Sequence, residues 1–277
     1  MPKFTSQEDV AMWLNTASPA VAQVFAARAA LRALPSLASE FGLHGNQLRG
    51  SEYARVALRT FRCVQVAWAF TAYPSHDAVL KVAVRLALKV QPVSTSHLER
   101  SAAYAVAAAN DNSPEFARAA ANYAIEAVTG PQEHFEAMLN AYSADADLLD
   151  QRTSPVTLAN SQLWPGRLPA WVLEAWDELK RALLASGDDW IVWTDWYEER
   201  LKGRPGLQSQ SGGELLNLEV ARAAVPQEMW GGDPATLNAH IRELFRSHGI
   251  SRYEIRNERN VAQELKGLTQ QELAIIG

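Results

Sequence analysis

The segment SPEFARAAANYAIEAVTG, residues 113–130, contains the signals that decide the fold class. Ser113, Pro114 and Glu115 form a helix start, because a serine caps the first turn and proline fits its first position. Gly130 is a typical helix stop. Residues 117–127 between them are crowded with alanine, whose small side chain lets neighbouring helices approach closely. The segment therefore predicts one helix of an Ala-rich array.

The same punctuation recurs along the chain, where a capping residue opens a segment and Gly or Pro closes it. Strand-like alternation is nearly absent, and only residues 253–256 weakly suggest a strand. The pattern therefore predicts an all-α fold of eleven or twelve helices. The longer ones are expected over residues 18–35, 51–74, 76–90, 96–109, 114–130, 131–149, 169–186, 188–201, 214–225 and 234–248, with a short one after 269.

The two halves of the chain differ in composition. Alanine is densest in residues 102–109 and 117–127, whereas seven of the nine tryptophans follow residue 160. Thr, Ser, Asn and Pro are frequent over residues 152–169. We therefore predict an Ala-rich helical domain, 1–152, and a Trp-rich helical domain, 153–277, which either stand apart or pack as one unit. Residues 203–213, rich in Gly, Ser and Gln, predict a mobile loop.

Length and composition exclude several classes of protein. The 277 residues are 48% hydrophobic with a net charge of -5, which is typical of a globular chain with a large core. The single cysteine, Cys63, excludes an internal disulfide framework and cysteine-rich metal sites, and it indicates a reducing compartment. Charged residues interrupt every apolar stretch before it reaches membrane-spanning length. We expect a soluble cytoplasmic protein that does not interact with membranes.

The charge is unevenly distributed along the chain. Residues 1–100 contain 11 Lys and Arg against 6 Asp and Glu, whereas residues 101–200 contain 6 against 16. On two successive predicted helices, basic residues recur at helical spacing. They form either ordinary solvated faces or one cationic face that could meet phosphates or an acidic protein. The six residues are Arg55, Arg59, Arg62, Lys81, Arg85 and Lys89.

Motifs for catalysis or metal binding are missing. The six histidines are scattered singly, and the acidic residues lack EF-hand or di-iron spacing, so we expect no metal and no cofactor. No nucleophile elbow, Walker loop or dinucleotide fingerprint is present. Cys63 lies in an apolar helical run, which is typical of a buried structural thiol. We therefore assign no catalytic residue.

The most specific local pattern is DDWIVWTDWYEERLKG, residues 188–203. Trp190, Trp193 and Trp196 recur at i+3 steps and Tyr197 follows, so that they form an aromatic ridge on one helix. Rings of this size dominate either a core or an interface. The ridge therefore packs inside the second half or, as the sharper hypothesis, is exposed and docks a partner protein.

This segment has the pattern WxxWxxWYxxRLxG, and it is followed by VPQEMW at residues 225–230 and NAHI at 238–241. Together with ARAALRALP at residues 27–35, it resembles all-helical bacterial proteins that are common in alphaproteobacteria. The resemblance covers about half the chain in separate patches. It implies a helical fold, and it implies no function, because no activity is established for those proteins.

Catalytic motifs are missing, while uneven charge and an aromatic ridge are features that recognition uses. Together they favour a non-catalytic protein of the bacterial cytoplasm, either an adaptor or an inhibitor-like regulator that binds another protein. The opposite charges of the first and middle thirds also permit a homo-oligomer. The alternative is a nucleic-acid-associated protein that uses the basic face. A third hypothesis is an enzyme whose site is assembled from distant helices. Its sign would be a pocket that gathers a histidine with acidic residues of altered pKa.

Overall fold

In a computed structural model, the described part of the chain forms fourteen α-helices and one β-hairpin. The structure describes residues 3–43, 51–89, 96–111, 113–128, 130–187, 189–204, 206, 208–211 and 214–248. The helices are α1 (Gln7–Thr16), α2 (Pro19–Ala33), α3 (Leu37–Glu40), α4 (Ser51–Ala72), α5 (Asp77–Lys89), α6 (His97–Asn110), α7 (Pro114–Ala127), α8 (Gln132–Asp150), α9 (Pro155–Ala159), α10 (Ala170–Ala185), α11 (Ile191–Leu201), α12 (Leu218–Ala223), α13 (Gln227–Trp230) and α14 (Pro234–Ser247). The hairpin pairs β1 (Gln208–Ser211) with β2 (Glu214–Asn217) in antiparallel register.

The all-α prediction is confirmed, and the predicted caps explain where several helices begin. The Ser113 hydroxyl accepts a hydrogen bond from the Glu115 amide at 3.2 Å at the start of α7. Ser96 caps α6 in the same way, through the Glu99 amide at 3.1 Å. Asp233 caps α14. Each cap satisfies an amide that the first helical turn leaves without a partner.

The Ala-rich helices pack as closely as their composition predicts. Helix α6 lies against α2, α4 and α7, and the alanines at these contacts are fully buried. The Ser101 hydroxyl of α6 donates directly to the Ala120 carbonyl of α7 at 2.8 Å. A side chain of this length reaches a neighbouring backbone only when the two helices are in close contact. The small residues therefore allow the hydrogen bond between the helices.

Residues of both halves contribute to one hydrophobic core. The Tyr197 hydroxyl of α11 donates to the Leu31 carbonyl of α2 at 3.1 Å. The Trp68 indole of α4 donates to the Ala159 carbonyl at 2.9 Å. These buried contacts join residues on either side of position 152. The division into domains at that position stays a prediction.

A buried charge cluster also joins the two halves. Arg28 and Arg32 of α2 both bind the Asp145 carboxylate of α8, with Nε of Arg28 and Nη1 of Arg32 at 2.8 and 2.7 Å. Arg28 also donates to the carbonyls of Leu158 and Gln162, each at 2.8 Å. Burial alone would raise the pKa of Asp145, but the charges of the two arginines outweigh it and lower that pKa.

The structure differs from the prediction after residue 203. Residues 208–211 and 214–217 form the β-hairpin, where the sequence predicts a loop and the start of a helix. Helix α12 begins at Leu218, because the Asn217 side chain accepts the Glu219 and Val220 amides and so fixes the N-cap. The strand expected at 253–256 and the helix expected after 269 lie outside the described residues. Across the described ranges, no helix has the length and apolar character needed to cross a bilayer.

Candidate functional site

The aromatic ridge lies in the core. Trp190, Trp193, Trp196 and Tyr197 are each at most 2% exposed. Phe61 of α4 contacts all three indoles, with ring centroids 5.6 to 6.4 Å apart. Helix α11 is buried because α4, α10 and α14 surround it. The interpretation of the ridge as core packing is therefore correct, and the hypothesis of an exposed docking ridge is wrong.

Three buried arginines stack on tryptophan rings of this core. The guanidinium carbon of Arg200 lies 4.0 Å from the centre of the Trp68 ring, and that of Arg62 lies 4.3 Å from the Trp230 ring. Arg222 lies 5.0 Å from Trp193. Such cation–π contacts stabilise a desolvated guanidinium by about 2 kcal/mol. None of the three arginines is predicted by the sequence to lie in the core.

The six basic residues do not form one face. Arg62 is buried and donates to the Gln227 side chain at 2.7 Å, and burial lowers its pKa to about 10, so it stays charged at neutral pH. Arg59 is partly buried and lies 3.5 Å from the Glu99 carboxylate. Helix α4 packs against α2, α5, α6 and α12, so its basic stripe turns inward after Arg55. The prediction of a single cationic face was therefore wrong.

The basic residues of α5 remain on the surface. Lys81, Arg85 and Lys89 are all exposed, and Lys81 forms an ion pair with Asp77 of the same helix at 2.6 Å. Among the described residues, Arg85 and Lys89 have no acidic partner within 4 Å. Two positive charges therefore stay available on this helix.

An apolar groove runs beside this basic stripe. It encloses about 310 Å³ between α5 and the end of α12, and its lining includes Val79, Val82, Leu86 and Val225. Val79 and Val82 are 44% and 54% exposed, which is high for valine in a folded chain. The groove can therefore bury apolar side chains of another molecule.

A second cavity, of about 530 Å³, lies where α3, α4, α6 and α7 meet. Its polar lining comprises the residues Glu40, Glu52, Glu99, Glu126 and His97. Phe41 and Tyr53 form an aromatic wall, with ring centroids 5.0 Å apart. We call this cavity the acidic cleft. It is the kind of pocket expected for the enzyme hypothesis, because it gathers a histidine with several carboxylates.

Several charged groups of the acidic cleft are held in place. The Ser96 hydroxyl donates to the Glu40 carboxylate at 2.7 Å, and Nε2 of His97 lies 3.7 Å from the Glu126 carboxylate. Burial of its carboxyl raises the pKa of Glu40, although the Ser96 hydrogen bond opposes the shift. Within the described ranges, no three His, Cys, Asp or Glu side chains are placed to hold a metal ion. The cleft therefore offers carboxylates, a histidine and aromatic faces, a set that suits an organic cation.

The basic residues beside the groove were predicted from the sequence, whereas the apolar residues that line the groove were not. Val79, Val82 and Leu86 recur at helical spacing beside the basic stripe, and this local signal was present in the sequence. The contribution of residues 223–225 depends on the tertiary fold and has no local signal. Comparison with family models, curated proteins and solved structures gives no match to this chain, so the resemblance to alphaproteobacterial proteins stays a prediction.

Proposed function

We propose that this chain is a non-catalytic interaction protein of the bacterial cytoplasm, of the adaptor or inhibitor type, which binds an acidic amphipathic helix of a partner protein. The observation that carries the proposal is the exposed valine pair, Val79 and Val82, which lines an apolar groove. Arg85 and Lys89 lie beside it and have no acidic partner among the described residues. Exposed apolar surface of this kind, rimmed by charge, is typical of interaction sites.

The arrangement of side chains on α5 sets the chemistry of the partner. At about 100° per residue, Lys81, Arg85 and Lys89 span about 80° of the helix surface, and Val82, Leu86 and Val79 occupy the next 60° or so. A partner helix that places apolar residues in the groove therefore presents its adjacent face to three basic groups. Carboxylates on that face complement them, which speeds association and sets orientation.

The small size of the groove favours a transient complex. A groove of about 310 Å³ takes the anchor residues of one helix face, spaced at i, i+3 or i+4, rather than a domain-sized surface. Interfaces at the small end of the range are typical of signalling encounters. A partner that binds and dissociates readily fits a regulatory role better than it fits a permanent complex.

Site-specific photocrosslinking tests the proposal in living cells. A photoreactive phenylalanine analogue at position 82 is expected to form an adduct with a partner segment that is acidic and amphipathic. The matched control is position 173, because Leu173 on α10 has a similar exposure of 49% and lies outside the groove lining. Adding Arg85→Glu to the position-82 variant is expected to reduce the adduct about tenfold, which corresponds to about 1.4 kcal/mol of binding.

Each other outcome counts against the proposal. Equal adducts at positions 82 and 173 would indicate non-specific contact. An adduct with a second copy of the chain would indicate a homo-oligomer on this face. Recovery of nucleic acid, lost with Arg85→Glu, would favour the nucleic-acid alternative in place of a protein partner.

An enzyme that acts on a small organic cation is the second candidate function. The acidic cleft favours it, because Glu40, Glu126 and two aromatic rings attract a cation, whereas Glu52 and Glu99 already pair with Arg59. The raised pKa of Glu40 suits a general acid. The diamine putrescine is the probe. It is expected to raise the melting temperature of the wild type and to lose most of that effect in Glu40→Gln.

The pH dependence separates this role from a structural one. A cation prefers the ionised carboxylate, so the putrescine effect is expected to increase as pH rises through the raised pKa of Glu40. Glu136→Gln is the control, since Glu136 is exposed on α8 and lies outside the acidic cleft. A putrescine effect that Glu136→Gln reduces as much as Glu40→Gln does would exclude the cleft as the binding site.

A further inference from the structure

The two sets of buried arginines differ in how their N–H groups are satisfied. In the cluster around Asp145, every guanidinium nitrogen of Arg28 is hydrogen-bonded. Of Arg32, only Nη1 has no hydrogen bond, and it lies 2.7 Å from the Asp145 carboxylate. Arg200 and Arg222 are just as buried. Among the described residues, their Nε and Nη1 atoms nevertheless have no hydrogen-bond acceptor. Buried donors without acceptors are uncommon in folded proteins, and a bound water or ion is one arrangement that satisfies them.

The stacking on tryptophan does not satisfy these donors. Arg200 lies on the face of Trp68 and Arg222 on the face of Trp193, which leaves the N–H groups at the edges of each guanidinium. One edge group of each is used, by the Arg204 carbonyl at 2.7 Å and the Val192 carbonyl at 3.2 Å. Of the remaining edge donors, Nη1 of Arg222 faces the Glu219 carboxylate at 3.5 Å, which is longer than a normal hydrogen bond. The others have no acceptor among the described residues.

The charge of this site is also unbalanced. Glu219 is buried beside Arg222, 3.5 Å from its Nη1, and its charge also acts on Arg200. No carboxylate of the described residues lies within 4 Å of Arg200. Within 4 Å, the described residues therefore offer one carboxylate to two guanidinium groups, and the Glu199 charge acts on Arg200 from farther away. A buried positive charge that is not fully compensated costs free energy, and a bound anion would lower that cost.

The chain closes tightly over one side of the site. A Cβ atom at Gly206 would lie 2.1 Å from the Tyr73 hydroxyl and 2.4 Å from Cγ of Glu219, so only glycine fits there. Burial raises the pKa of Tyr73 to about 12, and the Glu219 charge adds to this shift. Tyr73 therefore stays protonated at neutral pH, and its hydroxyl is close enough to Arg200 for that charge to act on its pKa.

We propose that Arg200 and Arg222 bind a small oxyanion, a carboxylate or a phosphate, in the interior between α4, α11 and α12. Arginine is the residue best suited to such groups, because its planar donors match their oxygens. Glu219 competes with the bound anion, since its carboxylate faces the same guanidinium groups. The site is separate from the docking groove and does not depend on it.

Thermal unfolding of the full chain tests the site, with sodium acetate, sodium phosphate and sodium chloride compared at equal ionic strength. Acetate or phosphate is expected to raise the melting temperature in a saturable manner, beyond the effect of chloride. The oxyanion that saturates at the lower concentration identifies the ligand class. Arg200→Gln is expected to abolish this difference from chloride.

Glu219→Gln gives the decisive result. It is expected to strengthen oxyanion binding, whereas a variant that merely damaged the structure would weaken it. Loss of the competing carboxylate is expected to lower the half-saturating oxyanion concentration about tenfold, even if the variant is less stable. Crystals grown with selenate are expected to show an anomalous peak within hydrogen-bond distance of Arg200, without any variant. Identical melting in all three salts for the wild type and Glu219→Gln, or no selenate peak, would overturn the proposal.

Discussion

Replacing Asp145 with Asn is expected to lower the free energy of unfolding by about 3 to 5 kcal/mol, the range for removing one partner from a buried ion pair. Asp145 accepts hydrogen bonds from Nε and Nη2 of Arg28, at 2.8 and 3.0 Å, and from Nη2 of Arg32 at 2.9 Å. Asparagine has nearly the same shape but carries no charge. Both guanidinium groups would then stay buried with backbone carbonyls and one neutral amide oxygen as partners, and no negative charge would compensate them.

Urea denaturation at neutral pH measures this loss. Asp150→Asn is the control, because Asp150 lies on the same helix but is exposed, and a change within about 0.5 kcal/mol is expected there. If the two variants lost similar stability, the carboxylate of Asp145 would not be compensating the two arginines.

The pH dependence has a definite sign. Because the pKa of Asp145 is lowered in the folded state, its contribution is complete above the unfolded value of about 3.9. The contribution is lost as pH falls through the lower folded pKa. The wild type and Asp145→Asn are therefore expected to converge in stability only below about pH 4. A difference that persists unchanged into strong acid would show that charge is not its cause.

The helices were predictable where the signal is local. Ser113 and Asp233 cap helices at the predicted places, because capping depends on a few neighbouring residues. The hairpin after residue 203 was missed. Residues 208–217 are mainly polar, and they lack the alternating apolar pattern that predicts a strand.

The location of side chains relative to the core was less predictable. A three-residue spacing places Trp190, Trp193 and Trp196 on one helix face, but the spacing is the same whether that face meets the core or a partner. The neighbouring Thr194 and Asp195 are buried too, so the first two turns of the helix are interior on every side. No local pattern indicates a helix surrounded on all sides when polar residues interrupt it.

Charge was the weakest guide to exposure. Arg62 shares a stripe with Arg55, yet α13 covers it, and the Trp230 ring takes the place of solvent. A long arginine can be buried when aromatic faces and carbonyls replace water, and sequence patterns do not record those partners. The burial of Asp145 was unpredictable for a related reason: its two arginine partners lie more than 110 residues away in the chain.

Gly203 closes the aromatic motif of α11, and Gly203→Ala is expected to lower the free energy of unfolding by about 2 to 5 kcal/mol. Gly203 has a φ of +65°, where a Cβ atom costs about 1 to 2 kcal/mol. That Cβ would also lie 2.2 Å from the Gln162 nitrogen and 2.4 Å from the Ser161 carbonyl carbon. These are backbone atoms, so a side-chain rotation cannot relieve the clash, and overpacking of this kind adds about 1 to 3 kcal/mol.

Gly187→Ala separates the two contributions, because Gly187 has a φ of +78° but open space around the added Cβ. It is expected to cost only about 1 kcal/mol in the same urea experiment. The extra loss in Gly203→Ala should also couple to Arg28, whose guanidinium binds the Ser161 and Gln162 carbonyls. Shifting that backbone weakens these hydrogen bonds, so Gly203→Ala and Arg28→Gln together should cost less than the sum of the single variants. Strict additivity, or equal losses at Gly187 and Gly203, would show that close packing of this loop does not hold the buried arginine in place.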